Sequence, residues 1–267
     1  MFHLSQRPAP ACEACRVDTT TGFDFTMAFQ PFVDLERGSI FGYEALVRGR
    51  NGEGAQSVLG RVTDENRYWF DQACRVKAIQ LATTLGLQGV LSINFLPNAV
   101  YRPETCIRAT LAAAKSMGFA RERLMFEVTE GEQIQDVDHL RGIFAEYKKQ
   151  GFHTAIDDFG AGWAGLNMLA EFQPDVLKLD MALTRNVDRD PVRRAIVRGV
   201  LTTCEALSIR VIAEGVETRD ECAALTDLGV RLFQGYFFAR PGFESLPDVP
   251  AALVLALGKG KVPTEAL

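Results

Sequence analysis

Short apolar runs alternate with helix-length amphipathic stretches along almost the whole chain. Buried parallel strands read as such runs, and the amphipathic stretches between them read as helices. The pattern predicts strands over about residues 27–33, 40–43, 90–95, 123–128, 153–157, 175–179, 209–213 and 230–238. It predicts helices over Phe70–Leu85, Pro103–Met117, Asp138–Gln150, Leu166–Glu171, Pro191–Leu207 and Asp220–Leu228. Gly86, Gly118 and Gly151 follow three of these helices, where a left-handed stop is expected, and Pro103 and Pro191 open two of them. Eight strands alternating with helices point to an α/β fold, a TIM-type (β/α)8 barrel. Only Gly38-Ser39 punctuates the step between the first two strands. That leaves no room for a helix, so the first strand pair is expected to be antiparallel. The barrel is expected over residues 25–250, after an N-terminal tail of 1–24 and before a C-terminal tail or helix of 251–267.

Polar residues recur just past the apolar runs. Glu44 follows Ile40-Phe41-Gly42-Tyr43, Asn94 follows Val90-Leu91-Ser92-Ile93, and Glu127 follows Leu124-Met125-Phe126. Asp157 and Asp158 follow Ala155-Ile156, Lys178 follows Val176-Leu177, Glu214 follows Val211-Ile212-Ala213, and Gln234 follows Leu232-Phe233. A functional group at the C-terminal end of strand after strand is how such a barrel builds an active site. Carboxylates converging on one rim repel one another unless cations sit among them. Glu44, Asn94, Glu127, Asp157, Asp158 and Glu214 offer the oxygen ligands that Mg²⁺ or Mn²⁺ prefers. Two such ions activate a water and neutralise a phosphoryl centre under in-line attack. Asp157 and Asp158 face one site together only if the chain leaves the strand there, and Phe159-Gly160-Ala161-Gly162 supplies the bend. Lys178 suits a hydrogen bond to the attacking hydroxide or the phosphate. Gln234 suits a water or substrate oxygen, and Arg48 the second phosphate of a diester. Asp180 and Glu217 are further strand-end charges, open between ordinary surface pairing and a place beside the substrate.

A net charge of −5 gives no general reason to bind nucleic acid or anionic membranes, and it makes bound metal necessary for any phosphate ligand at an acidic rim. No apolar stretch reaches membrane-spanning length and no signal peptide is evident, so a soluble cytoplasmic protein is expected. Of six cysteines only Cys12 and Cys15 have suggestive C-x-x-C spacing, half a zinc site without a matching second half.

The motifs, in order, resemble the EAL-domain family of cyclic di-GMP phosphodiesterases. They are Gln30-Pro31, Tyr43-Glu44-Ala45-Leu46-Val47-Arg48, Ser92-Ile93-Asn94-Phe95 and Glu127-Val128-Thr129-Glu130. Further on come Ile156-Asp157-Asp158-Phe159-Gly160-Ala161-Gly162, Leu177-Lys178-Leu179-Asp180, Ala213-Glu214-Gly215-Val216-Glu217-Thr218 and Gln234-Gly235-Tyr236. The resemblance runs from about Phe29 to Pro241. It implies hydrolysis of cyclic di-GMP to linear pGpG with two Mg²⁺ or Mn²⁺ ions, held by Glu44, Asn94, Glu127, Asp157, Asp158 and Glu214. Lys178, Glu44 and Glu214 would act on the water. Arg48, Gln30, Gln234, Glu217 and Asp180 would meet the substrate. Thr129 and Glu130 would support the loop that carries Asp158, and that loop would form a homodimer interface, with a sensor or regulatory protein as a further partner. The stretch 49–54 and the loop Ala161-Gly162-Trp163-Ala164-Gly165-Leu166 depart from the family pattern. Two rival expectations stand beside this one. The first is a catalytically silent EAL scaffold that binds cyclic di-GMP or a protein. The second is another metal-dependent barrel acting on enolisable acids, against which none of the three histidines sits past a strand end.

Overall fold

In a computed structural model, residues 23–129, 136–162 and 165–258 are described. The apolar runs become β1 (Thr26–Asp34), β2 (Ser39–Arg48), β3 (Val90–Asn94), β4 (Leu124–Thr129), β5 (His153–Phe159), β6 (Val176–Leu179), β7 (Arg210–Ala213) and β8 (Leu232–Phe233). β2 through β8 pair in parallel, each with the next, and β1 closes the ring by pairing antiparallel with both β8 and β2. The eight strands thus form a closed barrel in which the first pair is an antiparallel hairpin; its turn is residues 35–38, one step earlier than the expected Gly38-Ser39, because Ser39 already pairs with Asp34. Helices cover the outside: α1 (Ala55–Leu59), α2 (Arg67–Thr84), α3 (Pro103–Cys106), α4 (Arg108–Met117), α5 (Val137–Lys149), α6 (Gly165–Glu171), α7 (Met181–Thr184), α8 (Pro191–Ala206), α9 (Arg219–Leu228) and α10 (Ala251–Gly258). Among the described residues no helix is long and apolar enough to cross a membrane.

The period of two along each strand sorts the barrel interior into layers. Phe32, Val90, Met125, Ala155, Val176, Ile212 and Leu232 form a separate apolar cluster, one residue from each of seven strands. Two positions further toward the C-terminal rim of the parallel strands stand Ser92, Glu127, Asp157, Lys178, Glu214 and Gln234, with Gln30 and Glu44 facing each other across β1 and β2. An apolar floor therefore lies directly under a polar layer. The larger apolar cluster fills the space between sheet and helices.

Two predicted elements differ from the structure, and one helix was not predicted. The run 230–238 is not one strand: only Leu232 and Phe233 pair, and the chain then turns, returning as β9 (Gly242–Phe243) against β1. Gly235, at φ +157, passes so close to Val216 that a Cβ would stand 2.0 Å from its carbonyl oxygen, which ends the strand. The predicted helix 103–117 is two helices, α3 and α4, meeting at Ile107. The five-residue α1 lies in the stretch 49–66, where no periodicity announced it. Cys12 and Cys15 lie outside the described residues, and the other four cysteines are buried and not joined in disulfides among the described residues.

Candidate metal centre

Lys178 stands at the middle of the polar layer. Its Nζ lies 2.8 Å from Glu214 Oε1, 2.9 Å from Glu127 Oε2, 3.0 Å from Asp157 Oδ1 and 3.3 Å from Glu44 Oε2. Below it the Phe32 ring, 5.6 Å from Nζ to centroid, presents its negative face to the ammonium. Lys178 and Glu127 are fully buried, Glu44 and Asp157 nearly so. Burial alone would pull the Lys178 ammonium down, but Asp157, Glu127, Glu214 and Glu44 outweigh it and hold the pKa well above the ordinary lysine value. The carboxylates answer in the opposite direction. Burial pushes Glu127 up to about 8, with Glu44 and Asp157 adding to the push and Lys178 opposing it. Burial and the neighbouring Asp157 raise Glu214 well above the usual carboxylate range.

Amides and a hydroxyl fix the carboxylates from behind. Asn94 Nδ2 donates to Glu44 Oε1 at 2.9 Å, which leaves Asn94 Oδ1 as the atom available to a cation. Gln234 Nε2 donates to Glu44 Oε2 at 2.9 Å and lies 3.4 Å from Gln30 Oε1, while Gln30 Nε2 donates to the Ala239 carbonyl at 3.2 Å. Ser92 Oγ donates to Glu127 Oε1. Ser92 was legible only through the strand period, two positions before Asn94.

Asp157 and Asp158 reach the same site because β5 breaks register between Ile156 and Phe159. Asp158 takes φ +54, a left-handed value that aspartate tolerates better than most residues, and its amide donates to Asp157 Oδ1 at 2.8 Å. Gly160, at φ +100, follows, with Leu183 packed where its Cβ would be. Burial and Asp157 raise the Asp158 carboxyl to about 6.

Two overlapping triads result, Glu44–Glu127–Asp157 and Asp157–Asp158–Glu214, each with ligand atoms within 4.8 Å of one another. Five carboxylates and an amide oxygen, without thiol or imidazole, make a donor set for hard divalent cations such as Mg²⁺ or Mn²⁺. An ammonium already lies within 3.3 Å of four of these carboxylates, as positive charge among converging acids is expected to. The residues present therefore fit a divalent metal.

A cavity of about 450 Å³ opens above this layer. Gln30, Glu44, Asn94, Thr129, Asp157, Asp158, Lys178, Asp180, Glu214, Glu217 and Gln234 line it, joined by Leu46, Met181, Gly215, Gly235 and Tyr236. Glu127 lies beneath it. Arg48 shares the strand face of Glu44 and Leu46 but does not line the cavity, and its Nη1 donates to the Val47 carbonyl at 2.7 Å. Asp180 caps α7, accepting from the Ala182 amide at 2.8 Å. Glu217 pairs with Arg185 at 2.9 Å, which holds its carboxyl below the ordinary range. Glu130 lies outside the described residues, as do Trp163 and Ala164 of the loop after Asp158.

The EAL domain model matches residues 16–241. BluF of Escherichia coli K12, a blue light- and temperature-regulated antirepressor, is 32% identical over 238 residues, covering 89% of this chain and 59% of BluF. The chain thus spans about three fifths of that relative. A standalone EAL protein of Vibrio cholerae O395, solved with c-di-GMP bound, is 58% identical with a TM-score of 0.83, covering 85% of this chain and 96% of that one. BlrP1 of Klebsiella pneumoniae, solved with manganese and cyclic di-GMP, is 35% identical with a TM-score of 0.79, covering 84% of this chain and 58% of that one. The closed barrel with its antiparallel first pair, the acidic rim and these matches agree: the chain belongs to the EAL domain family.

Proposed function

We propose that this protein hydrolyses one phosphodiester of cyclic di-GMP, giving linear pGpG, with two Mg²⁺ or Mn²⁺ ions. The observation that carries the reading is Asp157, shared by two carboxylate triads and 3.0 Å from the Lys178 ammonium. Glu44, Asn94, Glu127 and Asp157 would hold one ion, and Asp157, Asp158 and Glu214 the other. When bound, the ions supply an activated water and neutralise the charge that develops on the phosphoryl oxygens. The water oxygen bonds to phosphorus as the bond to the 3′-oxygen breaks, and a 5′-phosphate remains on the linear product.

The chain's own part is orientation. With its carboxylates turned to metal, Lys178 is left to donate hydrogen bonds to the attacking water, and Glu44 and Glu214 accept from that water. Gln30 and Gln234, already linked at 3.4 Å, hold a substrate or water oxygen at the rim. Arg48 swings from the Val47 carbonyl to the second phosphate. Asp180 and Glu217 flank the substrate, and Thr129 with Glu130 supports the segment carrying Asp158. The metal and cyclic di-GMP complex of BlrP1 and the c-di-GMP complex of the Vibrio protein support the choice of ligand. A homodimer through the loop after Asp158 belongs to the same proposal, supported by Leu166, 66% exposed at the start of α6.

The test is incubation of metal-free protein with cyclic di-GMP, adding Mn²⁺, Mg²⁺ or neither, with products followed by chromatography. pGpG should form with metal and stop with chelator. Binding without hydrolysis in both metals would favour the second reading, a non-hydrolysing regulator, for which the antirepressor BluF is the motivating relative.

A further inference from the structure

Behind the polar layer lies a buried ion pair that the proposed chemistry does not use. Asp71 and Arg75 stand one turn apart on α2, with Asp71 Oδ2 2.8 Å from Arg75 Nη2 and side chains 1% and 0% exposed. A pair buried this deeply gives up much of its Coulomb energy to desolvation, and apolar residues of the same volume often stabilise a core as well. Its polar atoms, however, hold specific groups. Arg75 Nη1 donates to the Tyr147 hydroxyl at 2.7 Å, and the guanidinium lies over the Phe126 and Phe95 rings at 5.1 and 5.5 Å. Asp71 Oδ1 accepts from the Leu96 amide at 3.0 Å.

Leu96 is where β3 comes off the sheet. Asn94 is the last residue of β3 in register with β4, opposite Glu127, and the Phe95 amide still donates to the Glu127 carbonyl at 3.0 Å. The next amide, that of Leu96, finds its acceptor in Asp71 instead. Beside this corner is a cavity of about 290 Å³, lined by Phe70, Asp71, Cys74, Asn94 and Leu96 among others. It offers the corner room to shift if the hydrogen bond is lost. Two positions back along the chain, Asn94 holds Glu44.

We propose that Asp71 is a positioning residue for the metal centre: its carboxylate, held by Arg75, anchors the Leu96 amide and so fixes Asn94 against Glu44. The proposal rests on the metal reading above and adds to it a residue on a helix outside the barrel. Outer partners of metal ligands typically change metal affinity by about 10–100-fold when lost.

Two double variants separate positioning from bulk stability. Asp71→Asn with Arg75→Met keeps an acceptor for Leu96 and leaves no unpaired charge. Asp71→Leu with Arg75→Met keeps the volume and removes the acceptor. Mn²⁺ affinity by calorimetry should stay within about threefold of native in the first and weaken at least about tenfold in the second, with both variants folded at the temperature of the titration. Equal affinities in the two variants would overturn the proposal. Absence of Mn²⁺ binding by the native protein would overturn the metal reading and this proposal with it. Should the leucine variant fail to fold, hydrogen exchange of the native protein decides. The Leu96 amide should be strongly protected without metal and further protected with Mg²⁺, and exchange at the unprotected rate would overturn the proposal.

Discussion

Replacing Lys178 with methionine keeps most of the side-chain volume and removes the charge that four carboxylates share. In the metal-free protein those carboxylates, at 2.8 to 3.3 Å from Nζ, lose the ammonium that lies among them in a largely buried layer. Removing one partner of a buried ion pair costs about 3–5 kcal/mol. For a chain of this size about 1 kcal/mol moves the melting temperature by roughly 2–4 °C, so a fall of roughly 6–20 °C is expected. Metal binding should move the other way. At an effective dielectric constant of about 20, two unit charges 4 Å apart interact by about 4 kcal/mol, so an ammonium kept beside a divalent ion opposes its entry. Lys178→Met should therefore bind Mn²⁺ at least about tenfold more tightly, a change of about 1.4 kcal/mol. Turnover should nevertheless fall by about 10²–10³, the usual loss when one preorganised donor is removed. Scanning calorimetry without metal, Mn²⁺ titration calorimetry and a steady-state assay read the three effects. Tenfold weaker Mn²⁺ binding, or an unchanged metal-free melting temperature, would rule out competition between Lys178 and metal for the same carboxylates.

Asp157 belongs to both triads and Asp158 to one, so Asp158→Asn should retain one Mn²⁺ equivalent by calorimetry, whereas Asp157→Asn should weaken both. The carboxyls of Glu127, at about 8, and Asp158, at about 6, are raised above their unfolded values, so the folded metal-free protein binds extra protons. Their stabilising contribution is full below about pH 4 and is lost as pH rises through those two values. Metal-free melting temperature should thus fall between about pH 5 and 8.5, while Mn²⁺ affinity rises and binding releases protons, measured in buffers of different ionisation enthalpy. Gly235→Ala puts a Cβ 2.0 Å from the Val216 carbonyl and 2.4 Å from its nitrogen, neither of which can yield as a side chain would. It should destabilise by about 2 kcal/mol or more in chemical denaturation and reduce turnover through the adjacent Gln234.

The barrel and its antiparallel hairpin were legible because strand period, helix stops and a gap between the first two strands too short for a helix are local signals. The rim was legible for a related reason: a carboxylate or amide interrupting an apolar run is visible without knowing what it meets. The run 230–238 misled because Phe233, Tyr236, Phe237 and Phe238 look like strand residues. The close approach of Gly235 to Val216 is a tertiary fact that aromatic content does not announce. Lys178 was expected beside the metal ligands, and its place among them depends on side-chain reach across the barrel. Asp71 and Arg75 look like an ordinary exposed i, i+4 pair on a helix, since their partners Leu96 and Tyr147 lie 25 and 72 residues from them. Asp180 and Glu217 were open between two roles, and in the structure each already has a local partner, a helix amide and Arg185.

Whether water activated at this acidic rim cleaves a phosphodiester is read by turning over cyclic di-GMP with Mn²⁺ in ¹⁸O-labelled water, native protein and Asp157→Ala side by side, with the product identified by mass spectrometry. Attack by water on phosphorus gives pGpG carrying one ¹⁸O on its terminal phosphate from the native protein and no product from the variant. Bound but intact cyclic di-GMP with the native protein, or labelled pGpG from both, would rule out hydrolysis at this metal site.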